Sequence, residues 1–140
     1  MTLVDTNVIV DVLTADPVWS AWSTDRLTKC TETGPLRINE VTYAELAVRM
    51  EIESDLQSAL SDMGIALERT PTTALFLAGR AFNRYRTAGG PRTSVLPDFF
   101  IGAHAHAAEI PILTRDVRRY RTYFPKVVLI APEMRGGSEQ

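Results

Sequence analysis

MTLVDTNVIVD, residues 1–11, is the stretch that decides the fold of this chain. Leu3 and Val4 predict the end of a short buried strand, and the polar triplet that follows them breaks it. Apolar residues resume at helical spacing from Val8, which predicts that a helix comes next. Asp5 therefore stands where a strand ends and a helix begins. In an open α/β sheet, ligands and catalytic groups collect at that edge.

The composition predicts one globular domain. The chain has 140 residues, of which 45% are hydrophobic and 23% charged, so we expect a single domain over 1–140 with a loose tail from about 133 to 140. Cys30 is the only cysteine, which argues against a disulfide framework and favours a reducing cytoplasm. No apolar run reaches the roughly 20 residues of a membrane span, and we find no signal peptide.

Charge is informative through its distribution. The formal net charge is −2, which alone argues against a nucleic-acid partner, but Lys29 and Lys126 are the only lysines. The remaining positive charge is arginine, whose forked guanidinium suits contacts with phosphate or carboxylate. We therefore look for local groups of arginines near candidate acids.

Strand and helix signals alternate along the rest of the chain. The predicted strands lie at 36–38, 65–67, 111–113 and 127–130. The predicted helices run from 16 to about 33, from 39 through 48, from about 56 to 63, from 71 to about 87, over 98–108 and over 116–123. This alternation predicts a three-layer α/β/α domain, in which a central parallel sheet is flanked by helices.

Three aspartates fall at one end of the predicted sheet. Asp5 follows the first strand, Asp116 follows a late strand, and Asp98 opens a helix that is apolar nearly all round. The carboxyl ends of parallel strands meet at one edge, so we expect these side chains to lie close together. Each aspartate is also a common helix cap, which leaves a structural interpretation open. For the first helix, Thr6 or Asn7 can cap in place of Asp5.

Glu45 is the fourth candidate carboxylate. We predict it on a helix with an apolar stripe at Val41, Ala44 and Val48, and its spacing places it with that buried stripe. A buried carboxylate needs a partner, and Arg49 at i+4 would serve in a purely structural role. Converging acids repel one another unless protons or cations intervene. Hard oxygen ligands suit Mg²⁺ or Mn²⁺, which activate water and stabilise phosphoryl charge in metal nucleases.

The ordered set of short motifs resembles the PIN-domain ribonucleases and, within them, the VapC-type toxins of bacterial toxin–antitoxin pairs. The resemblance runs from about 3 to 132 and rests on the motifs Asp5-Thr6-Asn7, Glu45, Asp98, Thr114-Arg115-Asp116 and the closing run at 123–132. It implies a flavodoxin-like sheet, a Mg²⁺- or Mn²⁺-dependent endoribonuclease site, a homodimer and a cognate antitoxin.

The resemblance also implies roles for particular residues. The implied catalytic and metal-binding acids are Asp5, Glu45, Asp98 and Asp116, and the implied supporting residues are Thr6, Asn7 and Thr114. The chain departs from the family in one place. Relatives often carry a further acid or asparagine just past the last aspartate, where Val117 and Arg118 stand here, and this weighs against a second metal site.

Two groups of arginines flank the candidate acids in the sequence. The first group is Arg80, Arg84, Arg86 and Arg92, and the second is Arg115, Arg118, Arg119 and Arg121. The candidates for RNA contact among them are Arg84, Arg86, Arg92, Arg115 and Arg118. Such groups are usually solvated faces, but in this position they also suit an RNA backbone.

Five further residues attract attention. His104 and His106 are two apart on a helix and face different directions, so we expect packing or surface roles and not a metal pair. Asp11 lies more than one turn past the start of its helix, and we predict that it is solvated. Trp19 and Trp22 fit either the core or a groove for a partner, where tryptophan is enriched. We expect the antitoxin to pack near them.

We predict a metal-dependent endoribonuclease that acts on RNA as the toxin of a toxin–antitoxin module and inhibits translation or growth. One alternative is a catalytically inactive PIN-like module that binds RNA. A second is a phosphoryl-transfer protein with an acidic magnesium pocket, such as a receiver domain or a phosphatase. Receiver domains need a late lysine, for which only Lys126 is available, and Asn7 stands where phosphatases place a second aspartate.

Overall fold

The computed structural model describes residues 1–91 and 96–133. The predicted tail lies almost wholly outside these residues. The strands are β1 (Thr2–Val4), β2 (Leu36–Ile38), β3 (Ile65–Leu67), β4 (Ile112–Leu113) and β5 (Leu129–Ile130). The helices are α1 (Thr6–Leu13), α2 (Ser20–Thr33), α3 (Glu40–Ala47), α4 (Glu53–Asp62), α5 (Thr72–Thr87), α6 (Leu96–Ala108) and α7 (Arg118–Tyr123).

The five strands form one parallel sheet in the order β3-β2-β1-β4-β5. Successive residues of β1 point to opposite faces, as the pleat requires. Leu3 belongs to a core that includes residues of α5, α6 and α7, whereas Val4 belongs to a second core with residues of α1, α2, α3 and α4. The predicted three-layer α/β/α architecture with a central parallel sheet is therefore confirmed.

Two side-chain caps set where the site-bearing helices begin. Asp5 itself caps α1, since its Oδ1 accepts the N–H of Thr6 at 2.7 Å; of the alternatives that the sequence left open, the cap is Asp5 and not Thr6 or Asn7. Asn39 caps α3 as predicted, and its Oδ1 accepts from the N–H groups of Val41 and Thr42 at 3.1 and 3.2 Å. Each cap stands directly after a strand and points its helix away from the carboxyl edge of the sheet.

Several predicted boundaries move by a few residues. The helix predicted from residue 16 begins at Ser20, because Asp16 Oδ1 accepts from the N–H groups of Val18 and Trp19 and closes a turn first. The helix predicted from about 56 begins at Glu53. The last two strands and the last helix are shorter than predicted, and α6 begins two residues before Asp98. Helix and strand ends depend on local hydrogen bonds that periodicity does not resolve.

The two histidines of α6 are placed as predicted. His104 is buried and lies 3.3 Å from the side-chain nitrogen of Asn39, whereas His106 is exposed. Within residues 1–91 and 96–133, no helix is long and apolar enough to cross a membrane.

Candidate functional site

An open cleft of about 610 Å³ lies beside the end of β1, and acids from three elements line it. Asp5 comes from the β1–α1 junction, Glu45 from α3 and Asp98 from the first turn of α6. The fourth predicted acid, Asp116, is not part of this lining. The structure therefore brings three of the four predicted acids to one cleft, at the edge of the sheet where the sequence placed them.

Asp5 is the most constrained of the three acids. It is only 5% exposed, and its Oδ1 is occupied by the cap to Thr6. Its Oδ2 accepts from Thr114 Oγ1 at 2.8 Å and from the Tyr120 hydroxyl at 2.9 Å. Burial raises the pKa of Asp5 above its ordinary value, while these three hydrogen bonds oppose the rise and the charge of Glu45 adds to it.

Glu45 faces the cleft through a contact across elements. Thr6 Oγ1 donates a hydrogen bond to its Oε1, which links α1 to α3. The predicted pairing with Arg49 is not among the ion pairs of the described residues. Arg49 instead lines the same cleft from the exposed end of α3.

The apolar stripe predicted for α3 was wrong. Val48 is 86% exposed and Ala44 is exposed, whereas Thr42 and Leu46 are buried. The buried side of the helix carries Thr42 and Leu46, of which Leu46 belongs to the core that also contains Val4 and Ile38, and Glu45 lies at the boundary between core and solvent. Glu45 is half-buried, and its burial does not come from the stripe that suggested it.

Asp98 forms an ion pair, but its surroundings still raise the pKa of its carboxyl group. Its Oδ2 accepts from Arg119 Nη1 at 3.0 Å, and both side chains are 32% exposed. Burial, and then the negative charge of Asp5, raise the pKa of Asp98 to about 7, although Arg119 lowers it. Near neutral pH this carboxyl is therefore close to the midpoint of its titration.

Asp116 is connected to the cleft through Thr114. The Asp116 N–H donates to Thr114 Oγ1 at 3.0 Å, and the same hydroxyl lies 2.8 Å from Asp5 Oδ2. The carboxylate of Asp116 contacts Arg118 at 3.5 Å in an exposed ion pair, and such a pair contributes little to stability. The charge of Asp116 also helps to raise the pKa of Asp98, so the two acids interact electrostatically.

The three predicted supporting residues all contact the acids. Besides the contacts of Thr6 and Thr114 described above, Asn7 Nδ2 lies 3.4 Å from Asp5 Oδ2 and 3.3 Å from Thr114 Oγ1. Asn7 Oδ1 accepts from the N–H of Arg115 at 3.3 Å. This network joins the ends of β1 and β4, and it orients the carboxylate of Asp5.

Asp11 corrects a prediction. It is not solvated but 1% exposed, and it accepts from Arg115 Nε at 2.8 Å, from Arg115 Nη2 at 2.9 Å and from Ser23 Oγ at 2.8 Å. Its position three residues after the buried Val8 is the signal that would have placed it on the inner face of α1.

The sequence did not single out Tyr120 of α7, and it placed Arg119 only in the group of arginines near Asp116 and not opposite Asp98. Tyr120 is 2% exposed and donates to Asp5, and burial together with the charge of Asp5 raises the pKa of the Tyr120 hydroxyl well above its ordinary value. Arg119 pairs with Asp98. Neither position carries a local signal, because both contacts cross from α7 to distant parts of the chain.

Only one of the predicted RNA-binding arginines that the structure describes lines the cleft, namely Arg115. Arg84 and Arg86 are exposed on α5, and the Arg118 side chain is 83% exposed. Arg92 lies outside the described residues. Their contact with RNA stays a prediction.

The donor chemistry of the cleft fits Mg²⁺ or Mn²⁺, since every candidate ligand is a carboxylate oxygen. The raised pKa of Asp98 shows that the acids already repel one another, and a cation would relieve this repulsion. In the described ranges, no three histidine, cysteine or acidic side chains are arranged to hold one ion together. The assignment of the four acids as metal ligands therefore stays a prediction.

The fold and the cleft define a class of α/β proteins whose acids gather at the carboxyl edge of a parallel sheet. The family model described as "PIN domain" matches residues 2–125. The chain belongs to the PIN domain family, and the resemblance seen in the sequence is confirmed at that level.

Solved structures with the same fold come from toxin–antitoxin complexes. A chain of VapBC2 from Rickettsia felis, bound to a DNA fragment from its promoter, matches with a TM-score of 0.71 and 17% identity, over 94% of this chain and 98% of that one. A chain of VapBC-1 from nontypeable Haemophilus influenzae matches with a TM-score of 0.69 and 16% identity, over 93% of this chain and 96% of that one. A chain of FitAcB from Neisseria gonorrhoeae matches with a TM-score of 0.61 and 19% identity, over 93% of this chain and 96% of that one. No curated protein matches the sequence significantly.

Proposed function

We propose that this chain is a Mg²⁺- or Mn²⁺-dependent endoribonuclease and the toxin of a toxin–antitoxin pair, which inhibits translation or growth from within the cytoplasm. The observation that carries the proposal is the convergence of Asp5, Glu45 and Asp98 on one cleft, where burial and then the charge of Asp5 raise the pKa of Asp98 to about 7. Membership of the PIN domain family supports it.

Asp5, Glu45 and Asp98 would hold the ion, with Asp116 beside them. When bound, such an ion lowers the pKa of water and stabilises the charge that develops on a phosphate oxygen. Because Asp5 is buried and bonded to Thr114 and Tyr120, it provides a fixed negative charge that does not need to reorganise.

Asp98 is the acid best suited to move a proton. Arg119 engages its Oδ2, and we assign Oδ1 to accept the proton of the water that attacks the RNA phosphodiester. Burial and the charge of Asp5 raise the pKa of Asp98 in the metal-free protein, and a bound ion would lower it again, so the assignment rests on Oδ1 being the oxygen that Arg119 does not engage.

A toxin–antitoxin complex from Klebsiella pneumoniae is among the similar structures, and we propose a cognate antitoxin and a homodimer for this chain as well. We place the antitoxin near Trp19 and Trp22, which are both half-buried at the start of α2, with ring centroids 6.0 Å apart. Tryptophan is enriched where partners bind.

The decisive experiment is RNA cleavage by purified protein. Structured RNAs are incubated with the parent chain and with Asp5→Asn, in Mg²⁺, Mn²⁺ or EDTA. Asp25→Asn, a change at an exposed acid paired with Lys29, is the matched control for lost charge. We expect cleavage by the parent and by the control with either metal, and none in EDTA or by Asp5→Asn. Cleavage by Asp5→Asn, purified identically, would reveal a contaminant or a different site and would reject the proposal.

Two observations favour the inactive RNA-binding alternative. Arg119 already engages Asp98, and no three acids in the described residues are arranged to hold an ion. RNA binding by the parent without cleavage in either metal would establish this alternative. Membership of the PIN domain family does not favour a receiver domain or a phosphatase.

A further inference from the structure

Arg115 is held in place from two sides at the rim of the acidic cleft. Its Nε and Nη2 donate to Oδ2 and Oδ1 of Asp11 at 2.8 and 2.9 Å, which is a bidentate pair. The carbon of its guanidinium lies 5.4 Å from the centre of the Trp19 ring, within the range of a cation–π contact. Asp11 is held in turn by Ser23.

This arrangement leaves part of the guanidinium available. Arginine has five N–H donors, and the bidentate pair uses one on Nε and one on Nη2. The Arg115 side chain is 29% exposed, and it lines the cleft together with Asp5, Glu45 and Asp98. A positive, forked donor therefore stands at the edge of a cleft that three acids line, where the exposed Arg49 is the other positive side chain of the lining.

A guanidinium in that position matches a phosphate oxygen better than any other part of RNA. The acids would repel the phosphates that lie next to the cleaved one, and a fixed arginine offsets that repulsion. Fixing the side chain in advance also removes the rotamer entropy that a free arginine loses on binding.

We propose that Arg115 binds a backbone phosphate of the substrate next to the one that is cleaved. Asp11, with Trp19, is the positioning residue that presents it. This inference rests on the proposed function, in that the substrate is RNA. Asp11 would act only through Arg115, because Asp11 is buried beneath the Arg115 side chain.

The direction in which Asp11→Asn changes RNA affinity distinguishes this proposal from a purely electrostatic effect. Asp11→Asn removes a negative charge, so a purely electrostatic account expects RNA to bind the variant more tightly. The positioning account expects weaker binding, because the guanidinium loses its bidentate partner. The control Asp25→Asn removes the same charge from an exposed pair and should bind RNA as tightly as the parent or more tightly.

Binding is measured by fluorescence anisotropy of a labelled single-stranded RNA of mixed sequence in EDTA, over a series of salt concentrations. Arg115→Gln should bind about tenfold more weakly, as expected for one charge-assisted contact. Its salt slope should fall by about 0.7, the value for one phosphate on a single strand. Arg115→Lys and Asp11→Asn should bind several-fold more weakly with an unchanged slope, since the positive charge remains.

The failure of this inference is distinguishable from the failure of the nuclease assignment. If the parent cleaves RNA while Asp11→Asn and Arg115→Gln bind as tightly as the parent, the phosphate contact is overturned and the nuclease stands. If the variants weaken binding in the expected order but the parent cleaves nothing, the contact stands and the nuclease falls. Urea unfolding checks each variant, and if Asp11→Asn does not fold, Arg115→Lys alone decides.

Discussion

Replacing Asp98 by asparagine should stabilise the metal-free protein at high pH. The folded-state pKa of Asp98 is raised from 3.8 to about 7, chiefly by burial and by Asp5. Between these values the folded protein keeps a proton that the unfolded chain has lost. The free energy of unfolding therefore falls as pH rises through this window, by at most about 1.4 kcal/mol per pH unit. The asparagine variant lacks this loss.

The size of the effect follows from the same shift. At about 1.4 kcal/mol per pKa unit, the folded protein loses at most about 4 kcal/mol by ionising Asp98. The side chain is 32% exposed and paired with Arg119, so water screens part of this cost. We expect the free energy of unfolding of Asp98→Asn to exceed that of the parent by about 1–2 kcal/mol at about pH 8. At about pH 4 we expect no difference in favour of the variant.

The assay is urea denaturation in EDTA across this pH range, with parent, Asp98→Asn and the control Asp25→Asn. Arg26 and Lys29 lower the pKa of Asp25, so the control should gain no stability at high pH. If Asp98 served only as a cap or an ion-pair partner, its replacement would destabilise at every pH above 4. Parallel pH profiles for parent and Asp98→Asn would refute the reasoning.

Metal supplies the second half of this test. Mn²⁺ or Mg²⁺ should raise the melting temperature of the parent by linkage between binding and folding, and the rise should shrink in Asp98→Asn. A parent whose melting temperature does not respond to either ion would contradict the proposed site.

Two further substitutions test the buried polar network. Tyr120→Phe should lower the free energy of unfolding by about 1–2 kcal/mol near neutral pH, because Asp5 loses a hydrogen bond in the core; Tyr123→Phe on the same helix is the control, and equal urea midpoints for the two variants would argue against this contact. Burial lowers the pKa of His104, so the parent should lose stability as pH falls below about 6.5, at most about 1.4 kcal/mol per pH unit. His104→Gln should remove that component from the urea-derived profile, and an unchanged slope would show that His104 is not buried as a neutral ring against Asn39.

Features that depend on neighbouring residues in the chain were predictable from the sequence. The strands at 36–38 and 65–67 were predicted to the residue, because the first alternates apolar and charged residues, the second is a short apolar run, and each follows a glycine turn signal. The cap at Asn39 was predictable because a cap needs only a side chain and the next two or three N–H groups. The three-layer order followed from the alternation of such elements.

The geometry of the site was decided by contacts between distant parts of the chain. Asp11 was predicted to be solvated, but Arg115, 104 residues further on, and Ser23 bury it. The buried side of α3 is the side on which Leu46 joins the core. The stripe that includes Val48 was therefore wrongly predicted to be buried.

The sequence by itself determined that Asp5 and Asp116 follow parallel strands, whose carboxyl ends lie at one edge of the sheet. Only the tertiary structure decided how each acid is held. Tyr120 reaches Asp5 across 115 residues, and Arg119 reaches Asp98 across 21. A hydrogen bond or a raised pKa depends on distance and burial in the folded chain, and neither is encoded in any short stretch of it.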